Sequence, residues 1–78
     1  MLTRNNDNAT DSFLEVFEAL ARTPSQRWRW RLKHTNGKVL YGSTEGYSDR
    51  DEAVRLAVKA NFGNGYNWEL RFPRRRLR

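Results

Sequence analysis

The sequence predicts a small α+β domain in which one helix packs on a β-sheet. Three observations lead to this fold class. Cationic and apolar residues alternate strictly over 27–34, which is typical of a half-buried strand. Asn36-Gly37 follows at once and is the preferred pair for a tight hairpin turn. An alanine-rich helical segment follows Ser48. The predicted order is strand or helix, strand, strand, helix, strand.

The predicted hairpin fixes which side chains share a face. A two-residue type I′ turn at Asn36-Gly37 places Thr35 opposite Lys38. The apolar face then holds Trp28 and three cross-strand pairs: His34 with Val39, Leu32 with Tyr41, and Trp30 with Ser43. Because tryptophan is usually found inside, this face is the predicted core.

The predicted helix begins at Ser48 as N-cap, with acidic residues in its first turn. A stripe of small residues suits close packing on a sheet: Ala53, Ala57 and Ala60. Residues 61–65 end the helix. A final strand then alternates apolar with polar residues until Pro73 stops it. Its apolar members are Tyr66, Trp68, Leu70 and Phe72.

The spacing of apolar residues over 12–22 fits both a helix and a strand. Phe13, Phe17 and Leu20 fit one face of a helix, whereas Leu14 and Val16 fit one face of a strand that is covered on both sides. The domain is predicted over residues 12–72. A polar, flexible leader over 1–11 precedes it, and a basic tail over 73–78 follows it.

The charge of the chain is concentrated at its C-terminal end. The net charge is +6, and residues 71–78 contain five of the 15 basic residues and no acid. Residues 1–70 are therefore close to neutral. The chain is best interpreted as a nearly neutral domain with a polybasic tail.

Composition excludes several classes of protein. The 78 residues hold one domain, and a domain this small often needs a disulfide, a metal or self-association for stability. There is no Cys and only one His, so neither a disulfide nor a zinc site is expected. No signal peptide or membrane-spanning run is present, so we expect a cytoplasmic protein that makes no membrane contact.

No constellation of catalytic residues is evident. His34 lies beside the predicted turn without an acid to orient it, and no serine has a plausible base. Asp49 and Asp51 are explained by helix capping. Gly63-Asn64-Gly65 follows a helix, whereas a phosphate loop precedes one. We therefore expect a non-enzymatic protein without a cofactor.

Two groups of cations are candidates for nucleic-acid binding. The first is a stripe on the face opposite the tryptophans: Arg29, Arg31 and Lys33. The second is the C-terminal cluster: Arg71, Arg74, Arg75, Arg76 and Arg78. Single-strand binders carry aromatic residues and cations on one face, whereas the alternation here separates them.

Without a binding role, the stripe of Arg29, Arg31 and Lys33 would be a solvated face or would form ion pairs on neighbouring strands. The acidic candidates are Glu15, Glu18 and Glu69. The tail could serve solubility or bind an acidic protein. A protein-interaction or regulatory module with an acidic partner is therefore the alternative function.

Three segments together resemble the YegP-like family, a group of small domains of unknown function. They are Trp28-Arg29-Trp30-Arg31-Leu32-Lys33, Asn36-Gly37-Lys38 and Glu45-Gly46-Tyr47-Ser48. The resemblance covers roughly residues 14–60. It implies a β-β-β-α-β unit, with Leu14 and Val16 in the first strand. The segment from Ala19 to Arg27 is longer than the usual turn of the family, and the arginine tail is not part of its pattern.

The family occurs as tandem repeats or as dimers of single units with exchanged C-terminal strands. For this chain the resemblance therefore implies a homodimer. The combined expectation is a β-β-β-α-β unit with an antiparallel sheet and one packed helix, completed by exchange of the C-terminal strand. A double-stranded RNA-binding domain is the rival fold if residues 12–22 are helical, but it needs three strands between its helices.

Overall fold

The computed structural model describes residues 9–19 and 24–73, and in these ranges it contains four strands and one α-helix. The elements are β1 (Ser12–Glu18), β2 (Trp28–His34), β3 (Val39–Gly42), α1 (Arg50–Asn61) and β4 (Trp68–Arg71). A 3₁₀ turn, Pro24–Gln26, precedes β2. The α+β prediction is confirmed. Because residues 12–18 form a strand, the α-β-β-α order of the rival fold is wrong.

The four strands form one mixed sheet in the order β3-β2-β1-β4. β2 is antiparallel to both β1 and β3, but β4 is parallel to β1. The prediction of an antiparallel sheet is therefore wrong for one pair. β3 runs in the same direction as β1, and the helix after it brings the chain back, so the next strand repeats that direction. β4 lies within its own chain beside β1.

The β2–β3 hairpin has a longer turn than predicted. Gly37 has φ 98°, and none of the described non-glycine residues, Asn36 included, has a positive φ, which excludes a type I′ turn. The N–H groups of His34 and Gly37 instead donate to the carbonyls of Lys38 (2.7 Å) and His34 (2.8 Å). Leu32 faces Tyr41 as predicted. A register shift then pairs Val39 with Lys33 rather than His34, and Val39 is 49% exposed.

Helix α1 begins one residue later than predicted. Asp49, not Ser48, is the N-cap, and its carboxylate accepts a hydrogen bond from the N–H of Glu52 at 3.2 Å. Asp51 and Glu52 lie in the first turn, as predicted from the helix dipole. The carboxylate of Asp49 therefore caps the helix.

The core lies between α1 and the two central strands. Its buried apolar members are Leu14, Val16, Trp30, Leu32, Ala53 and Ala57. The buried side chains that the helix contributes are both small, Ala53 and Ala57. Trp28 packs against this cluster and is half-buried. The prediction that the tryptophans of β2 belong to the core is thus confirmed.

The third position of the helix stripe is Asn61, whereas Ala60 is exposed. Asn61 is fully buried, and its amide donates to the carbonyl of Ala57 at 2.8 Å. Its side-chain oxygen accepts from the Tyr41 hydroxyl and the Asn64 amide, both at 2.9 Å. Its backbone carbonyl accepts from the indole N–H of Trp68 at 3.0 Å. Asn61 thereby ties the end of α1 to both edge strands.

Among the described residues, no helix is long and apolar enough to cross a membrane. The segment before β1 is held to the sheet at Asp11, whose N–H donates to the carbonyl of Asn67 at 3.0 Å and whose carbonyl accepts from Thr35 at 3.1 Å. Residues 1–8 of the predicted leader and 74–78 of the predicted tail lie outside the described residues.

Candidate nucleic-acid interface

The face of the sheet opposite α1 carries the four predicted binding residues that the structure describes. The strand register brings eight side chains to this open face: Phe13, Glu15, Phe17, Arg29, Arg31, Lys33, Glu69 and Arg71. The helix packs on the other face, against Leu14 and Leu32. The open face therefore holds four cations and two carboxylates.

Glu15 lies at the centre of the open face because β1 is a central strand. Arg31 of β2 is its partner on one side, and Arg71 of β4 is its partner on the other. Arg31 Nε donates to Glu15 Oε1 at 2.7 Å, and Arg71 Nη2 donates to Glu15 Oε2. The carboxylate is only 1% exposed, whereas the side chains of Arg31 and Arg71 are 36% and 44% exposed. The two arginines thus cover the acid.

Burial by itself would raise the pKa of Glu15. The hydrogen bonds from Arg71 and Arg31, together with the charges of Arg31 and Lys33, outweigh it and hold the pKa of this carboxyl below its usual range. Glu15 is therefore ionised at neutral pH, and its charge compensates part of the cationic face.

Each of these arginines also stacks on a phenyl ring. The Arg31 guanidinium lies 4.7 Å from the ring centroid of Phe17, and the Arg71 guanidinium lies 4.0 Å from that of Phe13. The rings are half-buried beneath the arginines. This arrangement fixes two guanidinium groups with part of each exposed to solvent.

Arg29 and Lys33 lie on either side of Arg31 along β2. Both side chains are half-buried, and neither has an ion-pair partner in residues 9–19 and 24–73. They are the cations of the open face whose charge is not directly neutralised. The predicted stripe is thus confirmed as a shared face, but its middle member is paired.

The C-terminal end of β4 leads to a shallow cleft. Phe72 and Pro73 line a cavity of about 200 Å³ together with Trp28 at the start of β2 and Phe17 at the end of β1. The Arg50 guanidinium stacks on Phe72, 4.8 Å from the ring centroid. The basic segment 74–78 continues from this point. Its predicted binding residues lie outside the described residues: Arg74, Arg75, Arg76 and Arg78.

The residues weighed for catalysis have structural partners. The His34 imidazole accepts the N–H of Asn36 through Nδ1 at 3.1 Å, within the hairpin turn. Asp49 caps α1. Within the part of the chain that the structure describes, no three His, Asp or Glu side chains come close enough to hold a metal ion.

Sequence reasoning missed the aromatic residues of this face. Phe13 and Phe17 lie on β1, and the strict alternation within β2 gave no indication that rings and cations share one surface. The available indication was that residues 13, 15 and 17 are alternate positions of one strand, so their side chains lie on the same face. It became usable only once the β1–β2 register paired these positions with Lys33, Arg31 and Arg29. Pairing of Glu15 with this stripe was one of the anticipated alternatives, and it is confirmed.

Comparison with known protein families gives one match. The model of a domain of unknown function (DUF1508) matches residues 25–55, a segment that spans β2, β3 and the start of α1. This match is consistent with the YegP-like family and confirms the resemblance over the segment that it covers. No curated protein and no solved structure matches the chain.

Proposed function

We propose that this chain, whose residues 25–55 match a domain family of unknown function, is a non-enzymatic nucleic-acid-binding protein. Its open face and the basic segment 73–78 together contact the phosphates. The observation that carries the proposal is the pair of cations without an ion-pair partner among the described residues, Arg29 and Lys33, on a face that also holds phenyl rings and exposed guanidinium groups.

Single strands suit this surface better than duplexes. A flat sheet face can take unstacked bases, which stack on aromatic rings or on guanidinium planes. Here the rings of Phe13 and Phe17 are partly covered by Arg71 and Arg31, so the exposed parts of the guanidinium groups are the stacking platforms. Arg29 and Lys33 then supply the phosphate contacts.

The C-terminal segment begins beside the same surface. β4 ends at Arg71, which belongs to the open face, and Pro73 lies in the cleft beside Phe17. Since the chain continues from there with Arg74, Arg75 and Arg76, the cationic segment starts at the edge of the face. Each further phosphate contact adds salt-dependent affinity without base specificity.

The test is a titration of labelled single-stranded DNA, single-stranded RNA and duplex DNA at several salt concentrations, followed by fluorescence anisotropy. Replacement of two phosphate contacts in Arg29→Gln/Lys33→Gln should weaken single-strand binding roughly 25-fold at 0.1 M salt and reduce the salt slope by about 1.4. Deletion of residues 74–78 removes four arginines and should reduce the slope further.

The matched control is Arg55→Gln/Lys59→Gln, which removes the same charge from exposed positions of α1, the element on the other face of the sheet. It should leave the affinity within about twofold of the wild type. Binding without salt dependence, equal losses in both double variants, or no effect of the deletion contradicts the proposal. Absence of nucleic-acid binding favours the alternative, a module that binds an acidic protein.

We also propose that the protein is a homodimer in which C-terminal strands are exchanged, as the family resemblance implies. The support is that β4 is an edge strand of four residues that pairs with β1 alone among the described strands, so β4 of a second copy can take the same place beside β1. A domain of this size also gains stability from self-association. Sedimentation as a stable 9.3 kDa species at micromolar concentration contradicts the dimer.

A further inference from the structure

The Glu15 cluster has the geometry of an occupied anion site. Arg31 and Arg71 approach one carboxylate from two neighbouring strands, and each donates to a different oxygen. A phosphodiester presents two non-bridging oxygens to arginine in much the same way as a carboxylate does. The arginines remain partly exposed, whereas the carboxylate beneath them does not.

The guanidinium groups are held in place by more than the carboxylate. Phe17 and Phe13 support Arg31 and Arg71 by stacking, at 4.7 Å and 4.0 Å. The site would therefore keep its shape if Glu15 lost its charge, because the phenyl rings and the strand register stay unchanged. Two preorganised cations are thus neutralised by an internal acid at the centre of a cationic face.

We propose that Arg31 and Arg71 form a phosphodiester-binding site that Glu15 occupies from within the protein. This inference rests on the proposed nucleic-acid function. It identifies Glu15 as the residue that limits the affinity for a single strand. The Glu15 carboxylate competes with a phosphate of the single strand for the same two guanidinium groups. The wild type therefore binds mainly through Arg29, Lys33 and the C-terminal segment. Arg31 and Arg71 do not bind phosphate in the wild type, because they are paired with Glu15.

The direct test compares Glu15→Gln with Glu69→Gln in the same single-strand titration. Both variants remove one negative charge from the open face, but Glu69 is exposed and forms no ion pair in the described part of the chain. Release of two phosphate contacts should make Glu15→Gln bind up to roughly 25-fold tighter at 0.1 M salt, with a slope steeper by about 1.4. Glu69→Gln should change affinity about twofold or less.

Circular dichroism and urea unfolding establish whether Glu15→Gln is folded. A second comparison does not need this variant. In the wild-type background Arg71→Gln should leave the salt slope of binding unchanged, since its charge is already paired with Glu15, whereas Arg29→Gln should reduce the slope by about 0.7.

The two proposals fail in different ways. Wild-type binding with equal effects of Glu15→Gln and Glu69→Gln overturns the masking by Glu15 alone, and so does a reduction of the salt slope in Arg71→Gln as large as that in Arg29→Gln. Absence of binding in both the wild type and Glu15→Gln overturns both proposals. Binding by Glu15→Gln but not by the wild type supports the masking and shows that the unmodified face is closed to nucleic acid.

Discussion

Gly46 is the position where a single methyl group should do the most damage to the fold. It is buried, and a Cβ there would lie 2.2 Å from the carbonyl oxygen of Gln26, with the carbonyl carbon and Cα of that residue at 2.6 Å and 2.7 Å. All three are backbone atoms and cannot rotate away. Gly46→Ala therefore requires the two chain segments to separate by about 1.2 Å, which is the gap between 2.2 Å and an ordinary contact of roughly 3.4 Å.

The cost follows from what joins these segments. Tyr47 and Trp28 exchange two backbone hydrogen bonds, at 2.7 Å and 2.8 Å, immediately beside the contact. Losing both costs about 1–3 kcal/mol net, and more if the freed groups stay buried. With the lost packing of Trp28 the total is about 2–4 kcal/mol, out of a free energy of unfolding of roughly 4–12 kcal/mol for a domain of this length.

Urea unfolding followed by circular dichroism measures this cost. The control is Gly37→Ala, where a Cβ meets nothing within 4 Å and only the φ of 98° is unfavourable, worth about 1–2 kcal/mol. If the slope is close to 1 kcal/mol/M, the unfolding midpoint should fall by about 2–4 M for Gly46→Ala and by about 1–2 M for Gly37→Ala. A Gly46→Ala protein as stable as the wild type, or more stable than Gly37→Ala, refutes the steric argument.

Three further predictions concern the ion cluster, the helix end and the assembly. Because the folded-state pKa of Glu15 is depressed below about 4.5, the stability it contributes is present above that pH and is lost as the pH falls through the folded-state pKa. Urea titrations below pH 5 should therefore show a flatter pH dependence for Glu15→Gln than for the wild type, and parallel curves contradict this. Asn61→Ala, which leaves the hydroxyl of Tyr41 without its acceptor, should cost about 2–3 kcal/mol in thermal unfolding, and a loss below 0.5 kcal/mol contradicts the bridging role. Analytical ultracentrifugation of a Pro73→Ala variant and the wild type should give the same dimer, since Pro73 follows β4 and donates no hydrogen bond, and a monomer in both contradicts the dimer.

The local features of the fold were accessible from the sequence because they depend on neighbouring residues. The alternation in β2 placed Trp30 and Leu32 in the core, and the acids at 51–52 marked the first turn of α1. The turn at Asn36-Gly37 was located correctly, but its type was not, since one additional turn residue changes the register without changing the composition.

The long-range features were less accessible. The parallel pairing of β4 with β1 depends on which edge of the sheet the chain reaches after α1, and no local sequence pattern determines this. The open face illustrates the same limit. Arg29, Arg31 and Lys33 were predicted to share it, but the rings of Phe13 and Phe17 joined them only through the β1–β2 register.

The position of β1 has a consequence for the order in which the sheet can form. β1 is central, yet one of its neighbours, β4, is the last described strand to be synthesised. A nascent chain that has emerged only as far as α1 therefore carries β1 with an open edge and Glu15 with one arginine instead of two. Such an edge is a template for any strand of matching register. In the proposed strand exchange, β4 of a second copy would fill this edge in place of the chain's own β4, so a partner chain that is present before β4 is synthesised would favour the exchanged dimer.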